Sequence, residues 1–262
     1  MLGLVLSSFA GALAVMLVAW LLSRRLGRID IVDTFWGLAF VGALVGMRLY
    51  HPQSSLLVWA TDALVVVWAL RLSTHIYRRF RRSQQQDERY TQLMQKWPEG
   101  NRSLQTLGRI FLVQAGLATV VILPVITLHR YGVETPAFAA GITVWLVGFI
   151  WESVADKQLA AFTKLEANKG KIMARGLWRY SRHPNYFGEV AMWLGLATMT
   201  FGTRGWWLGT LGAGVITWLI VFISGVPLAE KRLAKKAGWK DYAAVTNRFI
   251  PGPVKYAKQG GN

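Results

Sequence analysis

Long runs of apolar residues alternate with short polar segments along most of the chain. A window of about 19 residues, the length that an α-helix needs to cross a bilayer, predicts seven membrane spans. They cover residues 2–22, 31–50, 55–71, 108–128, 136–156, 186–203 and 206–228. The pattern therefore predicts an all-α fold, a seven-transmembrane helix bundle.

The second and third spans carry charges inside their apolar runs. Asp33 and Arg48 interrupt the second span, Asp62 interrupts the third, and only residues 51–55 separate the two. We therefore expect a tight helical hairpin. Asp62 lies about 13 Å along its helix from the polar groups at the other end, at about 1.5 Å per residue. We expect it to be a buried structural partner of Arg48.

Composition supports a membrane protein. Of 262 residues 53% are hydrophobic and 16% charged, whereas a soluble domain carries about 25% charged residues. The chain has no cysteine, which excludes disulfides, thiolate catalysis and Cys-ligated metals, and its four scattered histidines give us no reason to expect a metal site. The first run has full spanning length and is followed by its arginines, so we expect no cleavable signal peptide.

The basic residues collect in alternate loops. Residues 23–30, 71–109, 157–182 and the tail from Lys231 hold 3, 9, 7 and 8 of the 30 Lys and Arg residues. The other face keeps only Arg48, Arg130 and Arg204. This bias predicts an amino terminus outside and a carboxyl terminus in the cytoplasm, and it explains most of the net charge of +17 without nucleic acid.

Ionisable residues occur at the predicted cytoplasmic ends of several spans. Such groups are costly at membrane depth and are functional candidates by default. We expect one polar cavity that opens to the cytoplasm, in a single integral membrane domain (1–262) whose loops 72–107 and 157–185 and tail 229–262 form the cofactor side. The alternative is that these acids only pair with nearby arginines. The residues are Asp33, Arg71, His75, Glu152, Asp156, Glu189 and Glu230.

The stretch 163–189 is the densest in polar and aromatic residues. Pro184 is favourable at the start of a helix, so span six begins near Asn185. Basic residues that precede a helix amino terminus make a good place for phosphate, because the free N–H groups and the helix dipole both favour anions. Trp178, Tyr180 and Tyr186 supply aromatic faces for a planar ring. A basic loop with interfacial aromatic residues is the alternative.

The segment Arg175–Glu189, RGLWRYSRHPNYFGE, is followed by Trp193, by Lys240-Asp241-Tyr242 and by Phe249-Ile250-Pro251. This pattern closely resembles the carboxy-terminal half of the steroid 5-alpha-reductase (3-oxo-5-alpha-steroid 4-dehydrogenase-like) family, in particular its bacterial branch. The resemblance implies a seven-span protein of the bacterial inner membrane. It also implies a reductase that binds NADPH from the cytoplasm and reduces the double bond of a lipophilic enone, such as a 3-oxo-delta-4 steroid.

The resemblance also implies site residues. Asn185 and Glu189 match family residues that contact the cofactor. Together with the expected polar cavity, it gives these cofactor-binding candidates: Arg71, His75, Glu152, Asp156, Lys164, Asn168, Lys171, Tyr180, Arg182, His183, Asn185, Tyr186, Glu189, Glu230, Arg232 and Tyr242.

Hydride transfer to an enone builds negative charge on the carbonyl oxygen, so the site needs a proton or hydrogen-bond donor there. Asp33 falls at about the position of a family glutamate with that task, and Trp68 stands where the family has a tyrosine. Tyr77 or Tyr90 is the alternative phenol. We therefore take Asp33, Trp68 and Tyr90 as catalytic candidates, with Trp36 lining a flat substrate pocket.

Two other classes of function stay open. The Arg-His-Pro-Asn-Tyr-x-Gly-Glu run also resembles membrane methyltransferases of the isoprenylcysteine carboxyl type, which use S-adenosylmethionine. A transporter or lipid-binding protein is the non-enzymatic alternative, although the inverted repeats typical of transporters are not visible. The expected partners are a lipophilic substrate and membrane lipids, with no nucleic acid and no obligate protein partner.

Overall fold

The computed structural model describes residues 1–52, 55–83, 85–133 and 135–255, and the regular structure in these ranges is helical. Two π-helical turns, Leu107–Phe111 and Leu219–Ile223, and two 3₁₀ turns, Glu166–Asn168 and Gly176–Arg179, interrupt or join the α-helices. The α-helices are α1 (Leu2–Leu26), α2 (Ile31–Tyr50), α3 (Leu56–Arg82), α4 (Glu88–Gln95), α5 (Arg102–Thr106), α6 (Leu112–Val121), α7 (Leu123–Tyr131), α8 (Thr135–Lys164), α9 (Pro184–Thr198), α10 (Trp206–Trp218), α11 (Val226–Leu233) and α12 (Trp239–Val245).

Six helical stretches in the described ranges are long and apolar enough to cross a membrane, which confirms an all-α integral membrane protein. They are Leu2–Leu26, Ile31–Tyr50, Leu56–Arg82, Arg102–Val121, Thr135–Lys164 and Trp206–Leu233.

Two of the predicted spans differ from the observed helices, and both differences have local causes. The predicted span 186–203 corresponds to α9, which stops at Thr198 after 15 residues. The Thr203 hydroxyl donates to the Thr200 carbonyl (2.7 Å) in the turn that follows, so short polar residues replace the last helical turn. The predicted span 108–128 is divided at Ile122, two residues before Pro124, which has no N–H to continue the helix. The seven-span count and the orientation stay predictions.

The chain forms two compact units. Unit 1 contains Met1–Glu134 and Thr200–Gly212, and unit 2 contains Thr135–Met199 and Ala213–Asn262. The single-domain organisation stays a prediction.

Close helix pairs lie in both units, and small residues permit them. In unit 1, α1 packs on α2 where a Cβ on Gly42 would lie 2.5 Å from the Gly11 carbonyl oxygen. In unit 2, α8 packs on α9 where a Cβ on Gly188 would lie 2.6 Å from the Gly148 carbonyl oxygen. Contacts this short exclude a side chain, so glycines set the spacing of these helices, as is common in membranes.

A buried polar cluster joins three helices of unit 1. Arg48 on α2 donates through Nε to Asp62 Oδ2 on α3 (2.8 Å), and its guanidinium lies over the Trp59 ring (3.5 Å). The Nε2 atom of His129 on α7 lies 2.9 Å from Asp62 Oδ1. The predicted pairing of Arg48 with Asp62 is confirmed. His129 is an additional partner that the sequence pattern did not indicate.

Candidate active site

Asp33, in the first turn of α2, is the centre of a cluster in unit 1 that we call the Asp33 cluster (Asp33, Asp87, Arg89 and Tyr90). The Tyr90 hydroxyl donates to Asp33 Oδ1 (2.6 Å), and Arg89 Nη2 donates to Asp33 Oδ2 (2.7 Å). Arg89 Nε also donates to Asp87 Oδ1 (2.9 Å). Arg89 thus bridges the two carboxylates with charge-assisted hydrogen bonds.

The phenol in this cluster is unusually hard to ionise. Burial, followed by the charge of Asp33 and the hydrogen bond to it, raises the pKa of Tyr90 well above its usual value. Tyr90 therefore keeps its proton at neutral pH and is available as a hydrogen-bond donor.

A second ion pair holds the start of α4, the helix that carries Tyr90. Arg28 donates from Nε and Nη2 to the Asp30 carboxylate (3.1 and 2.7 Å), and the backbone N–H of Asp87 donates to Asp30 Oδ2 (3.3 Å). The Arg28 guanidinium also lies over the Phe80 ring (3.8 Å). The start of α2 is thereby tied to the end of α3 and to α4.

The other catalytic and substrate candidates of unit 1 have different surroundings. Trp68 is fully buried and packs edge-on against Phe40 (5.0 Å between ring centroids), which in turn packs edge-on against the half-buried Trp36 (5.2 Å). Trp68 has the contacts of a core residue. Arg71 is half-buried and His75 is exposed on α3.

The start of α9 forms the candidate site in unit 2. Pro184 occupies the first helical turn, and the His183 backbone N–H donates to the Ser181 hydroxyl (3.1 Å). That hydroxyl donates to the Phe249 carbonyl (2.7 Å), so the carboxy-terminal segment fixes the entry to the helix.

Four side chains of unit 2 form what we call the Glu230 cluster (Arg182, His183, Glu230 and Arg248). Arg182 Nη2 lies 2.8 Å from Glu230 Oε1, and His183 Nε2 lies 3.5 Å from the same oxygen. Arg248 Nε lies 3.3 Å from Glu230 Oε2. Two guanidiniums surround one carboxylate, which leaves an excess of one positive charge.

His183 adds no charge to this cluster at neutral pH. Burial lowers its pKa to about 4, although the nearby Glu230 acts in the opposite direction. The ring stacks on Tyr186 (5.7 Å between centroids, 13° between planes). The pair therefore presents a neutral donor or acceptor beside an aromatic face.

The remaining polar candidates of α8 and α9 lie along their packed faces. Asn185 Nδ2 donates to Asp156 Oδ1 (3.2 Å). Glu152 and Glu189 are both buried, at 3% and 9% exposure. In unit 2 these acids therefore lie on the packed helix pair α8 and α9, and their role toward a cofactor stays a prediction.

Aromatic anchors fix the loop before α9. The Trp178 indole N–H donates to the Ala155 carbonyl (3.0 Å), and the Tyr242 hydroxyl donates to the Trp178 carbonyl (2.6 Å). Burial raises the pKa of Tyr242, so this hydroxyl stays a donor. The Tyr242 side chain therefore supports this loop by binding the loop backbone at Trp178.

The structure does not bring every candidate to these clusters. Asn168 donates to the Phe162 carbonyl (2.9 Å) within its own loop. The following side chains are exposed: Lys164, Lys171, Tyr180 and Arg232.

The sequence reasoning missed several cluster members. Asp87 and Arg89, at the start of α4, lie in the basic 71–109 stretch, and Arg248 lies in the basic tail, so the charge pattern does not single them out. One signal was present for Arg248: it lies directly before Phe249-Ile250-Pro251, a segment already included in the family pattern.

The Glu230 cluster has properties that suit a phosphate-bearing ligand. Arg182 Nε and His183 Nε2 are buried and hydrogen-bond to no atom of the described residues. Guanidiniums bind phosphate with good geometry, and the first turn of α9 adds backbone N–H groups. The donor set therefore fits the anionic part of a dinucleotide such as NADPH.

Comparison with known proteins gives a family and several relatives. A family model described as "Protein of unknown function (DUF1295)" matches residues 19–248. The chain is 35% identical over 71 residues to "3-oxo-5-alpha-steroid 4-dehydrogenase 1" of Bos taurus, a match that covers 27% of this chain and 28% of that protein. It is 40% identical over 73 residues to "Steroid 5-alpha-reductase DET2" of Gossypium hirsutum, covering 28% and 26%.

These matches to curated proteins are partial. The matched segment spans only about a quarter of the length of each of these relatives. No solved structure matches the chain.

Proposed function

The chain belongs to the family described as "Protein of unknown function (DUF1295)", a steroid 5-alpha-reductase-like family, and from that membership we propose that it is a membrane reductase dependent on NADPH. The proposed reaction reduces a carbon–carbon double bond conjugated to the carbonyl of a lipophilic substrate. A 3-oxo-delta-4 steroid is the first class to test, because the curated relatives carry that chemistry in their names.

The observation that carries this proposal is the Glu230 cluster at the start of α9. Its two arginines come from separate segments and lie 2.8 and 3.3 Å from one carboxylate. Basic groups assembled at a helix amino terminus favour a phosphate-rich cofactor over S-adenosylmethionine, which carries no phosphate. A methyltransferase is therefore the less favoured enzyme.

In unit 2, each residue has a proposed task toward the cofactor. Arg182 and Arg248 bind the phosphate monoester that distinguishes NADPH from NADH, while the Asn185 amide, oriented by Asp156 (3.2 Å), contacts the nicotinamide end. The Tyr186 ring, stacked on His183, offers a flat surface to a heterocycle. When bound, NADPH would supply a hydride.

In unit 1, the Asp33 cluster has the proposed task of stabilising charge on the substrate. Hydride addition at the β carbon would move an electron pair onto the carbonyl oxygen, giving an enolate that takes a proton from water at the α carbon. In the structure the Tyr90 hydroxyl donates to Asp33 Oδ1 (2.6 Å), and with substrate bound it would turn its hydrogen from Asp33 to the substrate carbonyl oxygen. Asp33 orients the phenol and accepts a hydrogen bond from Arg89 Nη2 (2.7 Å), so its proposed role is that of an acceptor and not of the acid.

The proposed topology follows the sequence bias in basic residues. We propose seven spans in a bacterial inner membrane, with α9 as the short sixth, the amino terminus outside and the carboxyl terminus in the cytoplasm.

The first test is ligand binding by the detergent-purified protein. NADPH, NADH and S-adenosylmethionine are titrated separately while unfolding is followed by tryptophan fluorescence, because a ligand that binds only the folded state raises the melting temperature. The proposal predicts a shift with NADPH and none with S-adenosylmethionine. The Asn185→Ala variant should weaken the NADPH response.

The matched control is Asn101→Ala, which removes the side chain that caps α5 far along the chain from the Glu230 cluster. It should lower the melting temperature without changing the NADPH dissociation constant. A shift with S-adenosylmethionine alone would favour methyl transfer. No shift with any ligand would favour a lipid-binding or transport role.

A further inference from the structure

Glu230 is a carboxylate in a position that suits an anionic ligand. We propose that it occupies the place of a cofactor phosphate monoester, so that phosphate binding displaces it and Glu230 sets the preference between NADPH and NADH. This inference rests on the proposed function and adds to it the residue that controls cofactor choice.

The contacts of Glu230 are those expected of a bound anion. One oxygen faces Arg182 Nη2 (2.8 Å) and His183 Nε2 (3.5 Å), and the other faces Arg248 Nε (3.3 Å). The carboxylate thus bridges the start of α9 and the carboxy-terminal segment in the way a small tetrahedral anion would.

The main cation of the site is positioned without help from Glu230. The Arg182 backbone N–H donates to the Asn247 carbonyl (2.9 Å), and its Nη1 donates to the Ala243 carbonyl (3.2 Å). Its guanidinium also lies 5.4 Å from the centre of the Trp239 ring. Removal of the carboxylate charge would therefore leave a formed anion site.

The carboxylate does not use all the donors around it. Arg182 Nε and His183 Nε2 are buried and have no hydrogen-bond partner among the described residues. A phosphate monoester has three terminal oxygens and nearly two charges, whereas a carboxylate has two oxygens and one charge. A phosphate therefore matches the two guanidiniums and the unused Arg182 Nε donor better than Glu230 does.

Phosphate binding requires Glu230 to move aside. Its side chain is 21% exposed and that of Arg248 is 50% exposed, so the cluster borders solvent. A glutamate that stays in place would repel the extra phosphate of NADPH, and one that swings out would admit it. An acid near the adenosine ribose favours NADH in other dinucleotide sites, and an arginine favours NADPH. In this cluster an acid and two arginines lie together, so Glu230 and a cofactor phosphate would compete for the same arginines.

The test compares the full-length wild type with Glu230→Gln in detergent, measuring dissociation constants for NADPH, NADH and inorganic phosphate. Glu230→Gln should bind NADPH about tenfold more tightly, because a competing charged hydrogen-bond acceptor is removed, and NADH within about twofold of wild type. Inorganic phosphate should raise its melting temperature more than that of wild type. The matched control is Glu166→Gln, an exposed acid paired with Lys169 in the same unit, which should change none of these values.

A second variant covers the case in which Glu230→Gln does not fold. Arg248→Met removes the half-exposed cation and should weaken NADPH binding about tenfold while NADH changes by less than about twofold. The inference is overturned if Glu230→Gln weakens NADPH binding, or if NADPH and NADH change equally in either variant.

The phosphate measurement separates this inference from the proposed function. If wild type binds neither nucleotide, the proposed function fails. Stronger binding of inorganic phosphate by Glu230→Gln would then still support an anion site that Glu230 occupies. Equal phosphate responses of wild type and Glu230→Gln would contradict it.

Discussion

The buried cluster of Arg48, Asp62 and His129 gives the sharpest stability prediction. Asp62→Asn keeps the size of the side chain and removes its charge. The three side chains are 14%, 7% and 0% exposed, so water cannot replace the lost partner. We expect a strong destabilisation of unit 1.

The size of the destabilisation follows from the buried charge that Arg48 keeps after the substitution. The Arg48 guanidinium cannot lose its proton and would keep a buried charge without its carboxylate. Breaking one partner of a buried ion pair costs about 3–5 kcal/mol, which for a chain of this size corresponds to a melting temperature roughly 10 °C lower. Replacing both partners, as in Arg48→Leu with Asp62→Leu, should cost less than Asp62→Asn alone, because no charge is left unpaired.

Tryptophan fluorescence during heating is a suitable assay, since the chain has 13 Trp residues. Glu166→Gln is the control, because its ion pair is exposed and should contribute no more than about 1 kcal/mol. The reasoning is refuted if Asp62→Asn melts within about 2 °C of wild type. It also fails if the double variant is less stable than the single one.

Three further predictions concern the helix pair and the two clusters. Gly188→Leu should prevent α8 from packing on α9, since a Cβ there would lie 2.6 Å from the Gly148 carbonyl oxygen, and size-exclusion chromatography should show loss of the monodisperse protein. Tyr90→Phe should lower enone turnover by about 10²-fold with the NADPH dissociation constant unchanged, and equal losses in both would indicate a structural role. Because burial lowers the pKa of His183 to about 4 from 6.5, stability should be full above pH 6.5 and fall toward pH 4. The melting temperature of His183→Gln should depend less on pH over that window, and an unchanged dependence would contradict the assignment.

The hydrophobic pattern predicted most helices because spanning length and apolarity are local properties of the chain. The prediction of 31–50 for the second span matches α2. The helices α3 and α8 continue to Arg82 and Lys164, beyond the apolar runs, because helix formation does not require apolar side chains once a helix has begun. The early end of α9 depends on turn hydrogen bonds that hydropathy does not report.

The candidate site was predictable where the chemistry lies in one segment. Residues 182–186 were found from the basic, Pro-initiated helix start, and the structure places Arg182 and His183 together with Glu230. Tyr90 was found through the family pattern and the need for a phenol. Arg89 and Arg248 were missed because their roles depend on loops that fold back over helix starts. Such long-range pairings leave no periodic signal in a single sequence.

The most direct test of the proposed reductase traces the hydride that NADPH transfers to the substrate. The purified protein is incubated with a 3-oxo-delta-4 steroid and NADPH that carries deuterium at the transferable position, and the product is examined by mass spectrometry and NMR. The account predicts a saturated ketone with one deuterium at the former β carbon and a solvent-derived hydrogen at the α carbon. Reduced product that carries no cofactor deuterium at the β carbon would contradict it, as would the absence of product with every enone tested.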